Sequence, residues 1–388
     1  MGKITRRGAL GGAAAGLLVV KPATAFSYQA NSAVSLGIIG SGRRGRYVGT
    51  LFVKDPRTRL GAICDVQPTS IDAAKTEIPG GDAARVYRNH EELLAAADID
   101  AVLIASPIFL HPEHFEHAVD AGKHIYCEKA AAANVAGVKR IMRAGDRADK
   151  SKHIQFGFQQ RYGPEYLTAE NIIQTGKLGQ LLLMRSHWMV GGQITPSTRP
   201  QVTYSSLAEE KHRNWYRWKE TSGDFIVEQD CHGVDVMNWY AGNRPLLASG
   251  AGGQIIKPYG DCNDHANITY EYPDGLRGFL HGCQLAQGWG LVDEQFFGTK
   301  GTLETSRRYY RWHRPSGERG KPPELEEVKS KRDPTIDAVE YFLDHVVGGE
   351  PAHEYMFAAE STLTALLGRM AVETKRLVTW DEMLTWSA

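Results

Sequence analysis

Cysteine and net charge are the two things this sequence has least of. Five cysteines stand among 388 residues: Cys64, Cys127, Cys231, Cys262 and Cys283. The number is odd, the spacing is wide and no CxxC occurs, which excludes a disulfide framework and a zinc ribbon. They are expected as small buried residues. Lysine plus arginine and aspartate plus glutamate both number 45, so the formal net charge is zero. Nucleic-acid binders carry a basic patch or stripe, and no nucleic-acid partner is expected here. Low-complexity tracts and internal repeats are missing as well. The remainder, 42% apolar and 23% charged, has the composition of a soluble globular protein and the length of two or three domains.

Long apolar runs are scarce too. The run from Gly8 to Val20 is shorter than the ~20 residues of a spanning helix. It follows the pair Arg6-Arg7 and precedes Ala23-Thr24-Ala25, an A-x-A cleavage pattern. Residues 1–30 therefore read as a twin-arginine signal peptide and linker. Periplasmic or secreted localisation is expected, with no membrane association once the signal is removed. No cysteine precedes Cys64, so a lipid anchor is not expected.

What is present begins at Val34. An apolar strand, Val34 to Ile39, runs into Gly40-Ser41-Gly42-Arg43-Arg44-Gly45 and then a helical pattern. A second strand, RLGAICD, ends in Asp65. Strand, glycine loop, helix and acid together predict dinucleotide binding: the glycines admit the pyrophosphate, and the helix N-terminus offers free N–H groups. A carboxylate at position 65 accepts from a ribose hydroxyl and repels a 2′-phosphate, which favours NAD over NADP. Arg43 and Arg44 pull the other way, since either can reach a phosphate. The run IDAVLIASP predicts a buried strand ending at Ser106-Pro107, with His111 opening the next helix. KHIYCEK predicts a strand that delivers Glu128 and Lys129 to its carboxyl end, the edge where open parallel sheets bind ligands.

In the second half, GDFIVEQDCHGVDVMNWYAG places Glu228, His232, Asp235 and Trp239 at i, i+4, i+7 and i+11, one face of a predicted helix. Cys231, His232, Asp235, Cys262, Asp264 and His265 are ligand types, but no HxxxH or CxxC spacing supports a metal, and none is expected. KHRNWYRWKETSGD supplies aromatic faces for sugar rings, with Trp215 expected against the substrate and Trp218 against the cofactor. YGDCNDHANITYEYPDG reads as strand, turn and strand, with His265 a pocket candidate. Alternating segments from about 180 to 310 fit an antiparallel sheet with turns at Pro273-Asp274-Gly275 and near Gly298. Helical patterns from Thr335 onward are expected to pack back on the first domain.

GIIGSGRRGR, AICD, IASPIFLH, AGKHIYCEKA, GFQQRYGPEY, SGDFIVEQDCHGVDVMNW, FGTKGTLE and ESTLTALLGRMAVETKRLVTWDEM occur here in one order. The sequence resembles the glucose–fructose oxidoreductase / inositol dehydrogenase / rhizopine-catabolism (Gfo/Idh/MocA) family over residues ~33–388. The resemblance implies an α/β fold: an N-terminal Rossmann doubly wound parallel sheet (33–155) and a C-terminal α/β domain with a large, open, mostly antiparallel sheet (156–334). Residues 335–388 form the C-terminal helices. Arg161 and Tyr162 match a family segment near the cofactor. The family commonly uses the lysine of an EKP motif with an Asp and a His one helical turn apart, and its sheets often dimerise, so a homo-oligomer is expected. Here the motif is EKA, with Ala130 in place of proline. Glu228 takes the aspartate position, and Asp230 stands where glycine is common.

These residues predict an NAD(P)-dependent oxidoreductase acting on a secondary alcohol of a carbohydrate or polyol, with its cofactor held tightly. His232 is the expected base. Lys129 polarises the hydroxyl, with a pKa expected to be lowered and a possible exchange of roles with His232. Glu228 orients or balances them, with Asp230 the alternative, and Glu128 positions Lys129 or the ribose. Two alternatives stay open. One is a redox-neutral NAD-dependent glycosidase, working by transient C3 oxidation and elimination, with Tyr162, His265 or Asp230 as the further acid and base. The other is a non-catalytic sugar- or nucleotide-binding protein.

Overall fold

The computed structural model describes residues 33–191, 204–256, 260–318 and 320–387. The expected signal segment, with Arg6, Arg7 and Ala23 to Ala25, lies outside the described residues. The first sheet contains β1 (Val34–Ile39), β2 (Thr58–Cys64), β3 (Arg85–Tyr87), β4 (Ala101–Ile104), β5 (His124–Cys127) and β6 (Ile154–Phe156). All are parallel, in the order β3-β2-β1-β4-β5-β6. Helices cover both faces, so β1 and β4 are buried at every residue and read as unbroken apolar runs rather than alternations. The strand order reverses between β1 and β4, which opens a crevice at their carboxyl ends.

The second sheet has nine strands: β7 (Leu181–Met189), β8 (Leu247–Gly253), β9 (His265–Glu271), β10 (Arg277–Cys283), β11 (Leu291–Gly298), β12 (Gly301–Ser306), β13 (Tyr309–Arg314), β14 (Glu324–Lys329) and β15 (Val378–Thr379). Their order is β14-β13-β12-β11-β7-β10-β9-β8-β15. Only the β7/β10 pair is parallel. Buried and half-buried residues alternate along β9 and β10, the mark of a sheet covered on one face. The helices Cys231–Ala241 and Tyr355–Thr374 supply that cover. Gly233 lets the first of them lie down on β7, since a Cβ there would meet Ser186 Oγ at 1.8 Å. The strand expected just before His265 does not form among the described residues. The Asp264 carboxylate instead accepts from the N–H groups of Ile255 and Ile256.

The Pro334–Gly348 helix packs on the first domain, where Phe342 meets Phe52 edge-on with centroids 5.4 Å apart. The Tyr355–Thr374 helix buries 15 of its 20 residues between the Val135–Asp146 helix and β8. Three of its hydroxyls tie the halves together. Thr362 Oγ1 accepts from Ala131 N at 3.1 Å, Ser361 Oγ donates to Asp235 at 2.7 Å, and Thr364 Oγ1 accepts from Asn238 Nδ2 at 2.9 Å. Cys64, Cys127, Cys231 and Cys262 are buried thiols and Cys283 is half-buried.

Candidate active site

The glycine loop leaves β1 with Gly40 at φ +91°, a conformation that side chains rarely adopt. A Cβ on Gly40 would lie 2.5 Å from Ser106 N, and one on Gly45 would lie 2.0 Å from Gly40 O. At Gly42 a Cβ would meet nothing within 4 Å. The loop is therefore packed tightly on its protein side and open on the other, before the N-terminus of the Arg43–Lys54 helix. That arrangement fits a pyrophosphate. Beside it a cavity of about 390 Å³ is lined by Gly40, Gly42, Asp65, Ser106, Pro107 and Trp215, among others. Asp65 accepts from Ser41 N and Gln67 N, both at 2.8 Å, and from Ser41 Oγ at 3.2 Å. A carboxylate has about four acceptor positions, so capacity remains for a ribose hydroxyl.

A second cavity, about 450 Å³, shares Ala105, Ser106 and Trp215 with the first and adds Arg43, Arg44, His111, Glu128, Lys129 and Glu228. The two form one groove along the strand ends. Arg43 and Arg44 line this second part rather than the Asp65 end, so the two arginines that pulled toward NADP are away from the acid. Arg44 Nε pairs with the buried Glu128 at 2.8 Å. Glu128 thus holds Arg44, not Lys129 as expected. His111 is buried behind the turn, its Nδ1 2.8 Å from Ala130 O and its Nε2 2.9 Å from Ser106 O. It braces the ends of β4 and β5 while still contributing to the lining of the second cavity. Burial lowers its pKa despite the two carbonyls.

Lys129 follows β5, and the Lys129–Ala130 peptide is cis. Its Nζ donates to the Glu228 backbone carbonyl and lies 3.2 Å from Glu228 Oε1. Burial works against the ammonium charge, but Glu228, followed by Cys231 and Glu128, outweighs it and raises the pKa. The lysine is a held cation: the lowering expected beside a nicotinamide cation is opposed by this acid.

Glu228 and His232 do not share one continuous helix. Phe225–Glu228 and Cys231–Ala241 are separate, broken at Gln229-Asp230. The break turns Asp230 into the sheet, where its Oδ2 would be 2.1 Å from a Cβ on Gly282 of β10. Of the two acids, Glu228 is the one in the groove. His232 lies on the sheet side, buried, stacked on Trp188 at 5.4 Å with ring planes 12° apart. It lines neither cavity. Burial, and then the charges of Arg307, Lys129 and Arg44, push its pKa well below the usual value. The ring is neutral, and Nδ1 has no hydrogen-bond partner among the described residues.

Four expected residues lie elsewhere. Arg161 forks onto Asp235 at 2.8–3.1 Å and covers the Phe357 ring at 3.9 Å. Tyr162 donates to Glu354 at 2.5 Å. Both line a separate cavity with Trp239 and Tyr341. Breaking a buried ion pair costs about 3–5 kcal/mol, so Arg161 is committed to Asp235 rather than to a cofactor. His265 is half-exposed at the start of β9, 2.8 Å from Asp264 Oδ1, and lines neither part of the groove. Trp218 lies under the Lys211 ammonium and lines neither part of the groove, and its indole N–H has no hydrogen-bond partner among the described residues. Trp188, Arg88, His90 and His114 were not singled out in sequence. Trp188 stands on an ordinary alternating strand. His114, in HPEHFEH, carried a signal: a histidine one turn after His111 on a helix that borders the crevice.

Comparison with known proteins gives the family. Residues 34–156 match the Gfo/Idh/MocA profile, described as "Oxidoreductase family, NAD-binding Rossmann fold", and residues 166–304 match the Gfo/Idh/MocA C-terminal domain. The chain belongs to the Gfo/Idh/MocA family. Its first half is an NAD-binding Rossmann domain, and the glycine loop and Asp65 fit that cofactor. Inositol 2-dehydrogenase of Corynebacterium glutamicum is 28% identical over 215 residues, 55% of this chain and 56% of that protein. The match thus spans little more than half of that relative. Two solved structures share the fold. Levoglucosan dehydrogenase in complex with NADH and levoglucosan has TM-score 0.77 at 18% identity, covering 89% of this chain and 99% of that one. Scyllo-inositol dehydrogenase from Lactobacillus casei with NAD(H) and scyllo-inositol has TM-score 0.69 at 20% identity, covering 90% and 99%.

Proposed function

We propose that this Gfo/Idh/MocA member oxidises a secondary alcohol of a sugar, glycoside or polyol and keeps its NAD bound through turnover. The observation that carries this is the approach of Lys129, from the first domain, to Glu228, from the second, in a groove continuous with the glycine loop. NAD, when bound, would supply the hydride acceptor for the alcohol carbon. The Lys129 cation donates a hydrogen bond to the hydroxyl oxygen and stabilises the negative charge that develops there. His232, held neutral but outside the lining of the groove, is the expected acceptor of the hydroxyl proton and reaches it through one bridging water. Glu228 keeps Lys129 charged and aimed. Trp215 offers an aromatic face to the C–H side of a ring. The cyclic polyols and anhydrosugar named with the relatives support this substrate class. Twin-arginine export of the folded, cofactor-loaded chain belongs to the same proposal, because an enzyme that retains its NAD works where free NAD is scarce. So does self-association through the open face of the nine-stranded sheet.

The test is a 340 nm absorbance and fluorescence spectrum of the purified protein, before and after sugars and aryl glycosides are added. Bound cofactor that becomes reduced and stays so supports the dehydrogenase. Release of phenol with no lasting NADH would instead mean a redox-neutral glycosidase, and a protein purified without cofactor would overturn the retained-NAD cycle.

A further inference from the structure

Beside the Asp65 end of the groove stands a cluster that the proposed chemistry does not use. His90 Nε2 lies 2.8 Å from His117 Nδ1, and the two rings stack with planes 11° apart. Glu91 Oε1 lies 3.4 Å from the same His117 nitrogen. One ligand atom from each of His90, Glu91 and His117 falls within 4.8 Å of the others. Across the His90 ring, His114 stands at 4.3 Å between centroids, and Glu113 joins these two in a second trio of the same spacing. His114 Nδ1 is taken by Ser106 Oγ at 2.8 Å, which fixes that ring as the wall between cluster and groove. Among the described residues, the ion-pair partner of Glu91 is His117 alone.

We propose that His90, His117 and Glu91 bind a divalent transition-metal cation, with Zn²⁺ the best match. Imidazole and carboxylate donors suit Zn²⁺, Cu²⁺, Ni²⁺ and Co²⁺ rather than Ca²⁺ or Mg²⁺, which take oxygen. In a tetrahedral site with Zn–N near 2.05 Å the two nitrogens stand about 3.3 Å apart. The His90 and His117 nitrogens need to part by only about half an ångström from their present 2.8 Å. His90, Glu91 and His117 are all partly or fully exposed, so an ion can enter without unfolding. Three protein ligands leave a fourth position for water. The residues come from two elements: the short helix His90–Leu94 after β3, and the His111–Asp120 helix after β4. These two elements border the groove through His90 and His114 respectively. A metal here ties together the outer wall of the cofactor site, away from Lys129. No local pattern announces this site, because His90 and His117 are 27 residues apart and their pairing depends on the order β3-β2-β1-β4.

The experiment uses the full tag-free chain, stripped with a chelator. Co²⁺ is titrated while visible ligand-field bands are followed, Zn²⁺ is added as competitor, and thermal melting is recorded with and without Zn²⁺. The expected result is one tightly bound Co²⁺ displaced by Zn²⁺, and a Zn²⁺-dependent rise in Tm. His117→Ala should weaken binding by about 100-fold or more, and Glu91→Gln by about tenfold. Both variants should melt like the wild type in the absence of metal, which separates loss of a ligand from loss of fold. Equal Co²⁺ binding by wild type and His117→Ala would overturn the proposal, as would a wild-type Tm indifferent to Zn²⁺.

Discussion

The two sheets serve the groove in opposite ways. The six-stranded sheet works at its edge: Gly40, Asp65, Ser106 and Lys129 all stand at or just beyond the carboxyl ends of its strands. The nine-stranded sheet contributes no strand residue to the lining of either part of the groove. It acts as a platform, and the proposed chemistry of the second domain comes from Glu228 and His232, on the two helical segments broken at Gln229-Asp230. A parallel sheet leaves its strand termini pointing at a crevice, whereas an antiparallel one connects neighbours by short turns and offers a face. Nicotinamide-nucleotide binding is thus written into backbone geometry, and substrate chemistry into side chains on short, replaceable segments.

The sharpest way to break this comparison is to remove the one reactive group that the first sheet delivers. Lys129→Ala should lower kcat/KM by about 10³-fold or more while NAD stays bound, as read from steady-state rates and cofactor fluorescence. Retention of near-wild-type rate would mean that the edge supplies binding and no chemistry. Next is the backbone itself. Gly40→Ala puts a Cβ 2.5 Å from Ser106 N at φ +91°. NAD affinity should fall about tenfold or more, since left-handed strain alone costs about 1–2 kcal/mol. On the platform side, Glu228 raises the Lys129 pKa, so Glu228→Gln should lower it. A rate that needs the cation then declines at lower pH than in the wild type, and a pH profile of kcat/KM reads that limb directly.

The smallest effect concerns the platform alone. Burial raises Glu294 of β11 from 4.5 to about 8, although Thr305 and Tyr166 donate to it. The folded state binds this proton more tightly than the unfolded one. Wild-type stability from this group is therefore full below pH 4.5 and falls as pH rises toward 8. Glu294→Gln should erase that slope and melt several degrees above wild type near pH 8, with no gain below 4.5. A gain of equal size at both pH values would mean that the site responds to packing rather than to charge.

Legibility in the sequence follows the same division. Strand, glycine loop, helix and acid lie within Val34 to Asp65, so the first binding edge can be located from contiguous residues. Lys129 follows from the strand that ends before it. The orientation of Arg161 and Tyr162 could not be read locally, because Asp235 and Glu354, 74 and 192 residues away, decide where they point. The choice between Glu228 and Asp230 rested on a break at Gln229-Asp230 that the helical spacing conceals. A held cation at Lys129 was equally invisible, since it depends on an acid 99 residues away.

The Tyr355–Thr374 helix has a consequence for descent. Its Ser361, Thr362 and Thr364 bond Asp235, Ala131 and Asn238, so one rod touches the turn after Lys129 and the helix that carries His232. That rod bridges the segments that carry the two domains' proposed reacting groups. A recombinant that takes its nucleotide domain from one relative and its platform from another inherits mismatched keys unless this C-terminal helix travels with both. Shuffling within such a lineage should therefore succeed segment by segment on the platform's surface and fail when whole domains are exchanged.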